Sequence, residues 1–185
     1  MTRFLIALVA LCLPLKAAAQ DFLSQAEVEQ VLSLNAFCYA QGADGSCAWA
    51  EVYPVLDGPL IELNIGVVLG PGQLVVLRQR ATWINDAMCI RDGDLGVTGS
   101  SVGPPPIFPF DGAGLVPQAP ATTNQIIAQI AASTAPKTCF RFARDPARPG
   151  GLLQITFADS VQLDGADPIT LVPLSQRSVQ LTIPF

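Results

Sequence analysis

The chain has 185 residues, half of them hydrophobic, with a formal net charge of −5 and no histidine. This length fits one domain, and the apolar content is too high for an intrinsically disordered chain. Acidic residues outnumber basic ones by 15 to 10, so we expect no nucleic acid partner. Without histidine, Ser-His, Cys-His and histidine–metal arrangements are excluded. We therefore predict no catalytic constellation, no metal site and no cofactor.

The beginning of the chain has the pattern of a secretory signal peptide. A basic residue precedes an apolar run over residues 4–15, and three alanines at 17–19 close the segment. The run is shorter than the ~20 residues that span a bilayer, so an uncleaved membrane anchor is the less favoured alternative. With cleavage after Ala19, we predict a signal peptide over residues 1–19 and one exported β-rich domain over residues 20–185, located in the periplasm or secreted.

Four cysteines remain in the exported part, and in an exported chain an even set is normally paired. They are Cys38, Cys47, Cys89 and Cys139. Two disulfides are therefore expected. Three connectivities exist, and we favour Cys38–Cys47 with Cys89–Cys139 because the first pair closes a short loop. A zinc site or a redox pair is disfavoured, since the chain has neither a C-x-x-C sequence nor a histidine.

The first predicted element of the domain is a helix. Ser24 and Glu27 have the spacing of a capping box, and Leu23 and Val28 are placed to form its hydrophobic staple. The apolar positions that follow keep helical spacing over about ten residues. We predict an amphipathic helix that docks on a sheet.

Residues 47–53 contain the most suggestive polar cluster. Strand alternation places Trp49, Glu51 and Tyr53 on one face, alongside Cys47. Such a face could stack on and hydrogen-bond a sugar or a peptide, and burial would raise the pKa of Glu51 toward acid chemistry. We favour the alternative interpretation, in which Trp49 packs on the Cys38 disulfide and Glu51 pairs with an arginine. The candidate arginines are Arg78, Arg91 and Arg141.

A β-hairpin is predicted next. Apolar residues alternate over residues 60–69, and a Gly-Pro-Gly turn follows at 70–72. Glu62 and Arg80 are then expected to form a solvent-facing cross-strand pair worth less than about 1 kcal/mol. In the predicted register, Leu69 faces Gln73, Val67 faces Val75, Ile65 faces Leu77 and Glu62 faces Arg80.

The segment 96–120 is so rich in glycine and proline that it predicts neither a helix nor a central strand, but a long loop. Loops of this length in a compact domain tend to be functional or disordered. The segment also carries Ile107, Phe108 and Phe110. These apolar side chains are expected either to fold back on the sheet or to contact a partner.

Residues 122–125 again have the pattern of a capping box, and they predict a short helix that ends before Pro136. Only strand patterns follow, separated by glycine-rich turns. They cover residues 139–142, 153–157, 161–163, 169–171 and 179–183. The predicted fold is mainly β: a single-domain antiparallel sheet or open barrel with two short helices, stapled by two disulfides.

The end of the chain alternates through Val179, Leu181 and Ile183 to a terminal Phe185. Over about seven residues this resembles the last strand of bacterial outer-membrane β-barrels. The resemblance implies, as an alternative, an outer-membrane-associated barrel. Two capped helices, a proline-rich loop and Pro184 favour an ordinary edge strand instead, and we do not expect insertion into the membrane.

The expected function is that of an exported non-enzymatic binding or interaction domain. Its partner is an unidentified protein or a cell-envelope component, bound through a sheet edge or through the loop 96–120. The alternatives are the outer-membrane-associated barrel and a carboxylate-dependent enzyme that uses Glu51. The candidate ligand-binding residues are Trp49, Glu51, Tyr53, Phe108 and Phe110.

Overall fold

The computed structural model describes residues 21–70, 73–91, 95–102, 110, 115–131, 137–176 and 179–182. The predicted signal peptide lies outside the described residues. The described part contains two α-helices and ten strands, with one 3-10 turn near the end. In chain order they are α1 (Gln25–Leu32), β1 (Asn35–Tyr39), β2 (Trp49–Asp57), β3 (Leu60–Gly70), β4 (Gln73–Ile84), β5 (Ala87–Arg91), β6 (Leu95–Val102), α2 (Pro120–Ala131), β7 (Lys137–Arg144), β8 (Leu152–Ala158), β9 (Val161–Gln162), β10 (Asp167–Pro173) and the turn Leu174–Gln176.

The sheet is antiparallel and closes into a barrel of eight strands. Strands β1 to β5 pair in chain order, β5 pairs with β7, and β7 pairs with β8. Strand β10 then pairs with β8 through residues 167–169 and with β1 through residues 169–173. Strands β6 and β9 pair with β4 and β8 outside this circuit. The predicted mainly β, antiparallel fold is confirmed, and the barrel is closed.

The inner side chains form one apolar cluster, here called the barrel core, to which all eight barrel strands contribute. Phe37 is at its centre, with ring centroids 5.5 Å from Tyr53 and 5.6 Å from Phe142. The other strand members are Tyr39, Ile61, Leu63, Ala81, Trp83, Met88, Ile90, Leu152 and Ile169.

Helix α1 adds its apolar side to the barrel core through Leu23, Val28 and Leu32. The predicted capping box is confirmed: the Ser24 amide donates to Glu27 Oε2 at 3.0 Å, and the Glu27 amide donates to Ser24 Oγ at 3.4 Å. The helix has eight residues, slightly fewer than predicted. Its first turn is tied to the β4–β5 turn, because the Gln25 amide donates to Asp86 Oδ1.

The β3–β4 hairpin has the predicted register at Glu62, Ile65 and Val67. The predicted pairing of Leu69 with Gln73 is wrong, because a bulge between Val68 and Gly70 places Gly70 opposite Gln73. An extra residue of this kind is a common way for a strand to enter a tight turn. On the side of the hairpin away from the barrel core, Glu62 pairs with Arg80 as predicted, and with Arg78 as well.

The predicted loop 96–120 is wrong at both of its ends. Residues 95–102 form β6, which pairs with β4 among the described strands, so its glycines weaken an edge strand and not a central one. Gly99 is required there, because a Cβ at this position would lie 3.0 Å from Leu115 and 3.1 Å from Val116. Helix α2 begins at Pro120 and not at the predicted capping box, since proline is favoured in the first position of a helix.

A second apolar cluster, the outer cluster, covers the opposite face of β1, β2 and β4. Phe110 is fully buried in it, which confirms that this part of the loop folds back on the sheet. Ile107 and Phe108 lie outside the described residues. Gly66 makes room for Phe110, whose ring would lie 3.1 Å from a Cβ at that position. The other members are Ala36, Cys38, Cys47, Ala50, Val52, Leu74, Val76, Val172 and Val179.

The predicted strand 179–183 is wrong in its described part. Residues 179–182 do not form a strand. Their β-pairing is one isolated parallel bridge between Leu181 and Cys47. Val179 and Leu181 pack on the outer cluster, and backbone hydrogen bonds join Gln180 and Thr182 to Cys47. Residues 183–185 lie outside the described part of the chain.

Both disulfides have the favoured connectivity. Cys38–Cys47 closes the loop between β1 and β2. Cys89 and Cys139 are directly opposite each other in the β5–β7 ladder, and their disulfide links the two strands. The predicted pairing is confirmed.

We expect Phe110→Ala to lower the free energy of unfolding by about 3 to 5 kcal/mol, because it removes a fully buried ring from the outer cluster. Val116→Ala is the control, since Val116 lies on the same loop and is 64% exposed, and its effect should stay within about 0.5 kcal/mol. Urea unfolding with both disulfides intact measures the difference. Equal stabilities of the two variants would show that Phe110 does not anchor the loop.

Candidate functional site

Glu51 lies inside the barrel, where two tyrosines hold its carboxyl group. The Tyr39 hydroxyl lies 2.9 Å from Glu51 Oε2, and the Tyr53 hydroxyl lies 2.7 Å from the same oxygen. The two tyrosines reach it because Tyr53 follows Glu51 by two residues on β2, while Tyr39 comes from the neighbouring strand β1. The Tyr39 hydroxyl also lies 2.6 Å from Gln154 Oε1 on β8. A polar network thus crosses the barrel core from β2 to β8.

Burial dominates the electrostatics of this network. It raises the pKa of Glu51 above the ordinary 4.5, against the opposing effect of hydrogen bonds from Tyr53, Tyr39 and Trp49. Burial, and then the charge of Glu51, raise the pKa of Tyr39 and of Tyr53 well above 10. The predicted rise in the pKa of Glu51 is confirmed.

The arginines of the alternative interpretation have other positions. Arg78 bonds to Glu62, and the Arg141 guanidinium lies 4.0 Å from the centre of the Phe22 ring. The side chain of Arg91 lies outside the description. The partners of Glu51 in the described chain are the aromatic residues around it.

Trp49 stacks on Tyr39, with ring centroids 4.8 Å apart and planes inclined by 12°. It does not pack on the Cys38 disulfide as the alternative interpretation expected, because that disulfide belongs to the outer cluster. The expectation that Cys47 shares a face with Glu51 is wrong for the same reason. The chain bends at Ala48, before β2 begins, so strand alternation does not extend back to Cys47.

A groove of about 590 Å³ lies beside Trp49 on the disulfide-closed loop between β1 and β2. Asp44 stands at its rim, where Oδ1 accepts hydrogen bonds from the Ser46 amide at 3.0 Å and from Ser46 Oγ at 2.6 Å. These bonds hold the pKa of Asp44 below its ordinary value, so the groove carries a carboxylate. Its lining residues are Ala40, Gly42, Ala43, Asp44, Ser46, Ala48, Trp49 and Thr182.

The structure unites only part of the predicted site. Trp49, Glu51 and Tyr53 lie together, but Trp49 alone of these three lines the groove. Phe110 lies in the outer cluster and lines a smaller cavity of about 210 Å³ beside the Glu62–Arg78 ion pair. The sequence interpretation missed Asp44. Its signal was an Asp-Gly turn inside a loop closed by two cysteines, close to the aromatic residue Trp49.

No protein-family model, curated protein or solved structure matches this chain. Among the residues that the structure describes, no three His, Cys, Asp or Glu side chains are grouped to hold a metal ion. No helix in the described ranges is long and apolar enough to cross a membrane. Function is therefore inferred from the groove and its neighbours.

We expect the stability of the wild type relative to Glu51→Gln to fall as pH rises above about 4.5. The folded-state pKa of Glu51 is raised, so its stabilising contribution is complete below the unfolded value and is lost as pH rises through the folded one. Urea unfolding of both proteins across the pH range gives the difference.

Glu62→Gln is the matched control with the opposite sign. Hydrogen bonds from Arg78 lower the pKa of Glu62, so its contribution is present above 4.5 and is lost as pH falls below it. A wild-type advantage over Glu51→Gln that stays constant above pH 4.5 would contradict the assignment of Glu51 as a buried acid.

Proposed function

We propose that this protein is an exported, non-enzymatic domain that binds a neutral sugar chain of the cell envelope in the groove beside Trp49. The observation that carries the proposal is the composition of the groove on a rigid barrel. One wall is an indole ring, three alanines supply small apolar contacts, and Asp44 with Ser46 and Thr182 supplies oxygen atoms.

This combination suits a pyranose ring. The C–H face of a sugar packs on an aromatic ring, and its hydroxyl groups donate to carboxylate and hydroxyl oxygens. Asp44 Oδ1 accepts two bonds from Ser46, and a carboxylate has further lone pairs for a ligand. Excess negative charge on the chain disfavours acidic glycans, since 15 acidic residues face 10 basic ones. A neutral oligosaccharide is therefore the ligand class that we propose.

An enzyme that uses Glu51 is less well supported. A general acid must come within hydrogen-bond distance of its substrate. Glu51 is half-buried with its carboxyl group bonded by Tyr39 and Tyr53, and it lines neither of the two cavities described above. We therefore assign Glu51 to the support of the groove.

Two disulfides support export, because they persist in oxidising compartments such as the periplasm and the cell exterior. We favour a periplasmic or secreted domain over the outer-membrane alternative. A membrane barrel turns apolar side chains outward around a polar interior. Here the interior is the barrel core, and Glu62, Arg78 and Arg80 lie on the other face of the hairpin.

We expect the domain 20–185 to bind at least one of the neutral trisaccharides chitotriose, maltotriose and laminaritriose in isothermal titration calorimetry. Asp44→Asn should weaken that binding about tenfold, because it replaces a charge-assisted hydrogen bond by a neutral one. Trp49→Ala should abolish it by removing the stacking surface.

Asp164→Asn is the charge-matched control, since Asp164 is exposed in the turn before Gly165 and is not part of the groove lining. It should bind as the wild type does. If none of the three sugars binds, or if Asp44→Asn and Asp164→Asn behave alike, the proposed site is wrong.

We expect the full-length chain, expressed in a Gram-negative host, to lose its first 19 residues and to leave the cells with the soluble periplasm on osmotic shock. Mass spectrometry of the released protein gives the cleavage site. Retention in the outer membrane, with a heat-dependent shift on gels, would support the membrane alternative instead.

A further inference from the structure

The hydroxyl group of Tyr39 has one proton and two acceptors. It lies 2.9 Å from Glu51 Oε2 and 2.6 Å from Gln154 Oε1, and both are hydrogen-bond distances. If Glu51 is ionised, the single proton can serve only one of these oxygens. The other contact is then a close approach of two oxygen atoms with no proton between them, inside the barrel core.

A proton on Glu51 Oε2 satisfies both contacts of the Tyr39 hydroxyl group. Tyr53 donates to Glu51, Glu51 donates to the Tyr39 oxygen, and Tyr39 donates to Gln154 Oε1. Three protons then serve three contacts in one chain. Rotation of the Gln154 amide would give the same satisfaction to an ionised Glu51, because its NH₂ group would donate to Tyr39. The two arrangements differ in one proton, which can be measured.

The surroundings of Glu51 favour the protonated arrangement. In the described part of the chain, the titratable groups that act on the network are Tyr39 on β1, Tyr53 on β2 and Asp167 on β10. None of them is a cation, so a negative charge on the half-buried Glu51 would have hydrogen bonds but no ion pair to compensate for its lost hydration. Burial raises the pKa of Glu51 in agreement with this geometry. The pKa values of both tyrosines lie well above 10, so Glu51 is the first member of the network to lose its proton as pH rises.

Tyr39 connects this proton to the groove. Tyr39 and Trp49 are directly opposite each other in the β1–β2 ladder, and their rings are stacked. The hydroxyl end of Tyr39 contacts Glu51, while its ring supports the indole that lines the groove. Loss of the proton reverses the hydrogen bond between Tyr39 and Glu51, because the Tyr39 hydroxyl must then donate to the carboxylate and no longer donates to Gln154 Oε1. Tyr39 and Gln154 rearrange, and the support of Trp49 changes with them.

We propose that a proton on Glu51 holds Tyr39 and Trp49 in the arrangement that binds ligand, so that the groove releases its ligand when this proton is lost as pH rises. The regulation rests on the proposed sugar-binding function of the groove. By linkage, ligand binding and the proton favour each other to the same extent: a tenfold loss of affinity corresponds to a rise of about one unit in the pKa of Glu51 on binding.

The test uses Trp83→Phe, which leaves Trp49 as the single tryptophan of the chain. We expect the emission of Trp49, recorded without ligand, to change in one step as pH rises from 5 to 9. The same step should be absent from the double variant Trp83→Phe/Glu51→Gln. Where a trisaccharide from the calorimetry binds, its affinity should fall about tenfold through this step and stay constant in the double variant.

Carbon-13 NMR of the Glu51 carboxyl in the otherwise unaltered protein provides the second measurement and does not depend on Trp83→Phe. A carboxyl that loses its proton in the same pH step as the change in Trp49 emission supports the proposal, and one that titrates near its ordinary 4.5 overturns it. A step in Trp49 emission that persists without Glu51 overturns it as well. If the step requires Glu51 but no sugar binds at any pH, the link between Glu51 and Trp49 is supported and the proposed function fails.

Discussion

Closure of the sheet is the constraint on which the rest of the structure depends. Strand β10 pairs with both β1 and β8, so each barrel strand has a hydrogen-bonded neighbour on both sides. Closure creates an interior of limited size into which every strand points alternate side chains. Aromatic rings fill this space, and helix α1 contributes Leu23, Val28 and Leu32. A polar group on an inward position must then find its partners inside the barrel, which is the situation of Glu51.

The outer cluster explains why the groove is where it is. Neighbouring strands also carry apolar side chains outward, and Phe110 and Leu181 cover them from two distant parts of the chain. The covering segment at Leu181 is held at the disulfide loop, because the Thr182 amide donates to the Cys47 carbonyl. Thr182 thereby reaches the groove beside Trp49. The groove is thus built from the disulfide loop, the start of β2 and the end of the chain.

Features that depend on neighbouring residues could be predicted from the sequence, and features that depend on distant pairing could not. The cap at Ser24 and the register at Glu62 follow from local patterns, and both are confirmed. The disulfide pairing could be predicted from the spacing of the cysteines and from the predicted export of the chain. Closure of the barrel, strand β6 and the position of Cys47 depend on long-range contacts. For the site, alternation placed Glu51 with Trp49 and Tyr53, but it could not show that the tyrosines hold the half-buried Glu51 while Trp49 lines the groove.

The network around Glu51 lowers the stability of the barrel relative to an interior filled by apolar side chains alone. A buried carboxyl loses its hydration, and its hydrogen bonds recover only part of that free energy. Apolar residues of similar volume in place of Glu51, Tyr53 and Gln154 would suit the fold at least as well, since Phe37 and Phe142 already pack there. Departures from local consistency of this kind tend to mark functional sites. The stacked contact of Tyr39 with Trp49 connects the network to a solvent-facing cavity. The position of the costly group therefore agrees with a role in supporting the groove.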